Sequence, residues 1–552
     1  MNDITHRTVG YRFSIPVSLL AFVIQAPALA DVDNAKLADE KNGIDWPAYG
    51  RTFSEQRFSP LDQINRETVP KLGLAWTLEL PDVWNVSSAP VEVDGVIYIA
   101  VGFSVIYAVQ ATSGKLLWHY DPKVTSEKMR FAWGIRGLSF WQGKVIAGVQ
   151  DGRLFALDAK SGKLIWETLT TQPGDNRYIT GAPRVFNGKV IIGHGGADFG
   201  HVRGYVSTYD AETGALLWRW YIVPGDPAKG FENKAMEMAA KTWKGQWWKF
   251  GGGGTAWNAM TYDPDYNRVY IGTGNGGPWN AKLRSPGGGD NLFLCSIVAL
   301  NADTGEYVWH YQTAPGESWD FTSTMDIVLS ELVIDGKPRK VILHADRNGY
   351  FYVLDGSNGH LLRAKPFVRT NWNSGFDSKG RPTVNPATVA TRDGVVVFPA
   401  VGGTNFQAPS YDAKNGLFIL EYVSSQGFAQ SAPVTYEKGK QFLGRGVGSG
   451  PVSAESDQGI EAIDAKTGNI VWKFPMARVG LSSGLIGTAG SFVFAASAEG
   501  QLLALDEKTG KPLWHLRVNG PVNSSPMAYM AGGKEFIAVT AATHVLTFGL
   551  PD

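Results

Sequence analysis

Apolar residues in this chain fall in short runs with the period-2 character of half-buried strands, as in Arg153-Leu154-Phe155-Ala156-Leu157. The runs are tied to one recurring phrase: Ala, Asp two residues on, Gly four later, Trp four after that. It reads ALDAKSGKLIW at 156–166, ALNADTGEYVW at 299–309, AIDAKTGNIVW at 462–472 and ALDEKTGKPLW at 504–514, with variants at 108–118, 208–218 and 353–363. The Asp supplies turn chemistry by bonding its own backbone two residues on, and the Gly takes the positive φ that closes a hairpin. Trp then falls in the next strand, where a large flat side chain can wedge against a neighbouring unit. A phrase copied at fixed internal spacing means one supersecondary unit repeated around an array. The expected architecture is all-β: an eight-bladed β-propeller of four-stranded blades with tryptophan docking motifs, seven blades being the alternative.

The copies begin at 108, 156, 208, 299, 353, 462 and 504. Most steps suit a single blade, but those from 208 to 299 and from 353 to 462 each imply an extra divergent unit or a long excursion. INRETVPKLGLAW, ending at Trp76, resembles a degenerate first copy, and 537–549 reads as a terminal strand pair. The last blade is therefore expected to be closed by strands from both chain ends. Within 231–254 the Ala, Met, Glu and Lys content predicts a short helix that stops at the glycine run. A polar loop is expected around 369–392. Such departures from a regular ring build lids and pocket walls.

Charge and composition narrow the partners. Lys plus Arg equals Asp plus Glu at 51 each, which offers no basic field for nucleic acid. Arg7 and Arg12, the apolar run from Phe13 to Ile24 and Ala28-Leu29-Ala30 read as a secretory signal peptide over 1–30. One propeller domain over 31–552 in the periplasm follows from that reading. About 12 apolar residues interrupted by Pro16 are too few to span a bilayer, and no later segment is long and apolar enough. Cys295 is the sole cysteine, so no internal disulfide forms and no C-x-x-C-H can attach a c-type haem. In NLFLCSIVAL it reads as a buried small apolar residue.

Nine histidines lie scattered without paired spacing, which argues against zinc or copper. Oxygen donors in glycine-rich settings are a better lead: Asp198 in GHGGADFGHVRG, Asn275 in GTGNGGPWN and Asp320 in GESWDFTS. Carboxylates with an amide oxygen suit Ca²⁺. Each taken singly also fits a turn-capping side chain.

From about Trp46 onward the chain resembles the soluble pyrroloquinoline quinone (PQQ)-dependent alcohol dehydrogenases, eight-bladed quinoproteins that include the methanol dehydrogenase large subunit. WPAYGRTFSEQRFSPLDQIN (46–65), the 180–214 segment, GGGTAWNAMTYDPDYNRVYIGTGNGGPWN (252–280), YQTAPGESWDF (311–321) and ADRNGYFYVLD (345–355) carry the resemblance. It implies that Asp320 is the catalytic base and that Asp198, Asn275 and Asp320 are metal ligands. Trp257 falls on the indole under the cofactor ring. Arg136, Thr180, Gly195, Gly196 and Ala197 fall on positions that hold the cofactor's carboxylates and carbonyls. Arg347 falls beside the reactive quinone oxygens, and Asn405 in GGTNFQ on a nearby amide.

Several positions depart from the family pattern. Asp198 replaces the usual Glu, and Thr322 stands where lanthanide-dependent relatives carry a second acid, which favours calcium. The family's adjacent-cysteine disulfide falls on Arg130-Phe131, and a family glutamate on Ser87. The implied activity is oxidation of an alcohol to an aldehyde or ketone, with electrons passed to a separate acceptor such as a periplasmic cytochrome c. Without the family, Arg347 before Asn348-Gly349 also fits a solvated turn arginine, Trp257 a core residue and Arg136 an edge ion pair. The rival reading is a non-catalytic propeller scaffold that binds protein.

Overall fold

The structure is a computed structural model that describes residues 32–81, 87–125, 127, 134–448, 457–477 and 484–551. Strands make up nearly all of its regular structure, and the described residues include three short α-helices, Asn34–Ala38, Lys234–Ala240 and Ala281–Arg284. Eight antiparallel sheets, A to H, follow one another along the chain. Sheet A comprises Val91–Val93, Val96–Val101, Val105–Gln110 and Leu116–Tyr120; sheet B comprises Ser139–Trp141, Lys144–Gly148, Arg153–Asp158 and Leu164–Leu169. Sheet C is Arg184–Phe186, Lys189–Ile192, Tyr205–Asp210 and Leu216–Tyr221; sheet D is Met260–Asp263, Arg268–Gly272, Ser296–Asn301 and Tyr307–Gln312. Sheet E holds Val328–Ile334, Lys337–Ala345, Tyr350–Asp355 and Leu361–Pro366, and sheet F holds Ser410–Asp412, Leu417–Ser424, Asp457–Asp464 and Ile470–Pro475. Sheet G runs Ile486–Thr488, Phe492–Ala496, Gln501–Asp506 and Pro512–Arg517, with Phe58–Ser59 added in parallel. Sheet H takes Met527–Ala531, Lys534–Ala541 and His544–Gly549 from one end of the chain and Gly73–Glu79 from the other, as expected.

The repeated phrase occupies the third strand, the turn and the fourth strand. Asp464 Oδ1 accepts from the backbone N–H and the hydroxyl of Thr467, both at 2.7 Å, and Gly468 takes φ +73°. Asp158 with Ser161, Asp210 with Thr213 and Asp506 with Thr509 repeat this arrangement. The main bond thus reaches three residues on, and the Ser or Thr at that position is part of the device.

Each indole then meets the next sheet. Trp118 donates from Nε1 to the Ala159 carbonyl at 3.0 Å, Trp166 to Ala211 at 3.0 Å and Trp472 to Glu507 at 2.8 Å. A Cβ on Gly162 or Gly214 would lie 2.6 Å from the indole of the preceding sheet, and one on Gly510 2.5 Å from it. Only glycine admits that approach at positive φ. Trp218 and Trp309 continue the series to Ala302 and Gly356, Trp514 reaches Leu72, and Trp76 of sheet H returns to Ala111 of sheet A. Between sheets E and F, where Arg363 replaces Trp, the Lys365 stem lies against Gly468 instead.

Burial differs from the half-buried expectation. Leu154, Phe155, Ala156 and Leu157 of the third strand of sheet B are all 0% exposed. Neighbouring sheets cover both faces of the inner strands, which therefore read as continuous apolar runs. Outer strands such as Leu164–Leu169 are mostly open to solvent, as is the middle of Val328–Ile334 in sheet E.

The two irregular steps add no extra four-stranded sheet among the described residues; they hold excursions with small sheets of their own. Between C and D, Asn233 caps the helix Lys234–Ala240 by accepting from Met236 N at 3.0 Å. That helix ends at Ala240, with Lys241 as its C-cap, and Gly245 at φ +74° and a 3₁₀ turn at Trp247–Lys249 follow before the glycine run. Between E and F the 369–392 region forms a hairpin, Asn373–Phe376 with Pro382–Val384. It precedes a small sheet of Val395–Val397, Gly427–Ser431 and Arg445–Gly448.

Segment 46–59 lies where the first strands converge. Trp46 pairs with Glu92, the Ser54 carbonyl accepts from Leu329 N at 2.9 Å and the Gln56 carbonyl from Tyr411 N at 2.9 Å. One stretch of chain thereby touches sheets A, E, F and G. Cys295 is buried and free, its thiol donating to the Phe321 carbonyl at 2.9 Å.

Candidate active site

The strand order fixes where single-copy loops meet. Arg136, Thr180, Trp257, Asp320 and Asn405 lie just before the first strands of sheets B to F, while Gly195–Asp198, Asn275 and Arg347 lie just after the second strands of C, D and E. Both places are the same end of the array. Backbone bonds stitch neighbouring loops: Ala89 N donates to Arg136 O and Arg136 N to Thr180 O, each at 2.8 Å.

All eleven residues singled out in the sequence line one cavity of about 200 Å³ there. Tyr178, Thr255 and Phe406 complete its wall and were not anticipated. Phe406 directly follows Asn405, and Thr255 lies within the glycine-rich run before Trp257, but neither carried a chemical signature of its own. A cavity of about 350 Å³ opens at the opposite end, beside the turns at Pro264, Gly356 and Ala413, and gathers none of the eleven.

Asp320 adopts φ +63° and is wrapped by its own loop. Glu317, fully buried, accepts from Trp319 N at 2.6 Å and Phe321 N at 3.1 Å through Oε1, and from Gly276 N at 3.1 Å through Oε2. One carboxylate therefore ties the Asp320 loop to the loop of Asn275. Glu317 was missed because its role depends on three backbone N–H groups that only the fold brings together.

Arg347 Nη2 donates to Asp320 Oδ2 at 2.9 Å, and Nε donates to the Val401 carbonyl at 3.3 Å. Its side chain is 17% exposed, which is not the setting of a solvated turn arginine. Burial pushes the Asp320 carboxyl up to about 8; Arg347 opposes that rise, while Asp198 and Glu317 add to it. Among the described residues no hydrogen bond engages Asp320 Oδ1.

Asp198 Oδ1 accepts from Asn275 Nδ2 at 2.9 Å and from Trp279 Nε1 at 2.7 Å. Two carboxylates and an amide thus share one end of the cavity, a donor set suited to a hard cation. At its other end Arg136 lies between two rings, 4.8 Å from the centroids of both Trp257 and Phe406. Trp257 is half-buried rather than core. The Thr322 hydroxyl bonds Thr324 Oγ1 at 2.9 Å. Ser87 is buried, whereas Arg130-Phe131 and 1–30 lie outside the described residues.

A flat polyanion with a cation beside it fits this lining: a fixed arginine at each side, an aromatic surface, and oxygen donors grouped at one end. Comparisons with known proteins agree. The family described as glucose/ethanol/alcohol dehydrogenase, beta-propeller domain, matches residues 46–364. The quinohemoprotein alcohol dehydrogenase ADH IIB of Pseudomonas putida is 44% identical over 95% of this chain and 78% of its own length. The solved quinohemoprotein alcohol dehydrogenase ADHIIG from Pseudomonas putida HK5 superposes with a TM-score of 0.91 at 42% identity, covering 95% of this chain and 83% of that one. A europium-containing methanol dehydrogenase gives 0.85 at 29% identity, covering 94% and 99%. These likenesses leave the scaffold reading without support. The chain belongs to the PQQ-dependent alcohol dehydrogenases, the β-propeller quinoproteins.

Proposed function

We propose that this chain is an eight-bladed propeller, preceded by a signal peptide over 1–30, that oxidises an alcohol in the periplasm with PQQ and Ca²⁺ held in the axial cavity. Eight sheets, seven of four strands and sheet G of four with Phe58–Ser59 added, and the run of indole contacts from sheet H back to sheet A support the blade count and the docking role of the tryptophans. The observation that carries the catalytic reading is the single cavity in which all eleven residues converge around the Asp320–Arg347 pair.

When bound, PQQ supplies a two-electron oxidant and Ca²⁺ a Lewis acid beside it. Asp198, Asn275 and Asp320 would hold the cation. Arg136, Thr180 and the Gly195-Gly196-Ala197 turn would hold cofactor oxygens, with Trp257 as the stacking floor and Asn405 as a further amide contact. Asp320 takes the hydroxyl proton of the substrate at Oδ1, the oxygen that Arg347 leaves free. Arg347 steadies Asp320 and stabilises negative charge that develops beside it. The hard oxygen donors, and Thr322 in place of a second acid, support calcium as the metal.

These 552 residues contain one cysteine, and attachment of a c-type haem takes two. Electrons therefore leave for a haem outside this stretch of chain, most directly that of a periplasmic cytochrome c. The test is to reconstitute apoprotein with PQQ and Ca²⁺ and to follow dye reduction across primary, secondary and polyol alcohols. Turnover that requires both additions is expected. A chain that neither retains PQQ after desalting nor reduces dye with any alcohol overturns the assignment.

A further inference from the structure

Beneath the cavity the axis contains a buried charge cluster that extends beyond the cofactor-lining residues. Glu55 pairs with Arg184 through two contacts, Nε to Oε1 at 2.5 Å and Nη2 to Oε2 at 3.2 Å. Arg184 and Arg57 both lie over the Tyr49 ring, 4.3 and 5.4 Å from its centroid. Tyr49 and Asp326 also act on each other electrostatically. Asp326 Oδ1 accepts from Asn258 Nδ2 at 3.1 Å, and Asn258 Oδ1 accepts from Arg136 Nε at 3.1 Å. The Thr324 carbonyl takes the second Nδ2 proton at 3.1 Å, so the Asn258 amide has one orientation. None of these seven side chains belongs to a residue more than 5% exposed.

The charges do not balance. Three guanidinium groups, Arg57, Arg184 and Arg136, face two carboxylates, Glu55 and Asp326, and Tyr49 is held neutral because burial pushes its phenol far up. Buried charges are normally paired, and an unpaired one is costly. Arg136, the member that reaches the cavity, forms no ion pair among the described residues, and burial draws it down to about 10. Among the described residues Asp326 is the carboxylate that acts on it directly, with the Asn258 amide between them, and Glu55 acts on Asp326 in turn.

We infer that Asp326 and Glu55, which line no part of the cavity, set the strength with which Arg136 takes up a ligand carboxylate, by leaving the axial cluster one negative charge short. The missing charge is supplied from above, by an anionic group of the ligand that meets Arg136 at the cavity wall. Segment 46–57 contributes Tyr49, Glu55 and Arg57, so it acts as an electrostatic base for the cofactor rather than a simple plug. The inference rests on the PQQ reading above.

Full-length apoprotein is titrated with PQQ at pH 8 and fixed Ca²⁺, reading tryptophan fluorescence, and its melting temperature is taken without cofactor. Removing a carboxylate raises the surplus positive charge, so Asp326→Asn is expected to bind PQQ about ten-fold more tightly while the apoprotein melts lower. Glu55→Gln, remote from the cavity, is expected to tighten binding on the order of three-fold. A purely packing role predicts the opposite sign, because a disturbed floor weakens binding. Weaker or unchanged affinity in either variant overturns the inference, and Glu55→Gln decides the matter if Asp326→Asn fails to fold. A wild-type chain that binds no PQQ overturns the functional reading instead.

Discussion

The turn-and-indole layer and the axial cavity are built by the same sheets on opposite plans. In the first, one contact recurs from sheet to sheet: an indole N–H on a backbone carbonyl, and a glycine beneath the ring. Its parts are repeated and interchangeable, as the Lys365 stem against Gly468 illustrates. In the second, every part occurs once, and buried charge dominates: Asp320 against Arg347, Glu317 across three N–H groups, Arg136 between two rings. Stability is thus spread over many equivalent contacts, whereas chemistry is concentrated where no substitute exists.

That division predicts separable damage, and the largest effect belongs to the cavity. Asp320→Asn keeps the size of the side chain and removes the proton acceptor. We expect kcat to fall by roughly 10²–10⁴-fold, with PQQ retained after desalting and an unchanged melting temperature. Near-normal kcat would remove Asp320 as base and break the comparison at its centre.

Next in size is the loss of one indole. Trp472→Ala leaves the Glu507 carbonyl and Gly510 uncovered and is expected to cost about 3–5 kcal/mol in denaturant unfolding. The folded fraction should retain wild-type kcat. A cofactor-binding defect in that variant would show that the two regions are coupled.

A turn cap should matter less. Asp464→Ala removes two hydrogen bonds at the Thr467 corner and is expected to cost on the order of 1 kcal/mol, with activity intact.

The smallest effect is one of pH. Burial holds Glu507 up to about 8 and Glu55 and Glu535 up to about 7, above the ordinary carboxylate range. Folded chain then binds more protons than unfolded chain across that interval, so stability falls as pH rises through it. His310, lowered to about 4 by burial, acts in the other direction but only below its unfolded value near 6.5. The melting temperature of the apoprotein should therefore decline between about pH 6.5 and 8. Glu507→Gln should flatten that slope; an unaltered slope would remove Glu507 from the account.

The repeat was legible because turn chemistry is local and was written several times, from Asp158 to Asp506. The site was legible through long family segments, which placed Asp198, Asn275 and Asp320 in one cavity although 122 residues separate the outer two. Asn258 and Asp326 went unread although Asn258 lies inside a recognised segment. An asparagine that bridges an arginine and an aspartate has no sequence spacing to betray it. The inner strands were misjudged as half-buried because face-to-face packing of neighbouring sheets is not a property of any one strand. The helix over Lys234–Ala240 was placed correctly but ends early, with Lys241 as its C-cap well before the longer glycine run.

Sheet H joins Gly73–Glu79 to His544–Gly549, a pairing that spans most of the chain. The earlier strand therefore has no partner until nearly all of the chain is present. Until then sheet H lacks its outer strand, Trp76 has no completed sheet behind it, and the array stands open. The last strand made is the latch, and a chain that arrests before residue 544 has every other sheet but no closed circle.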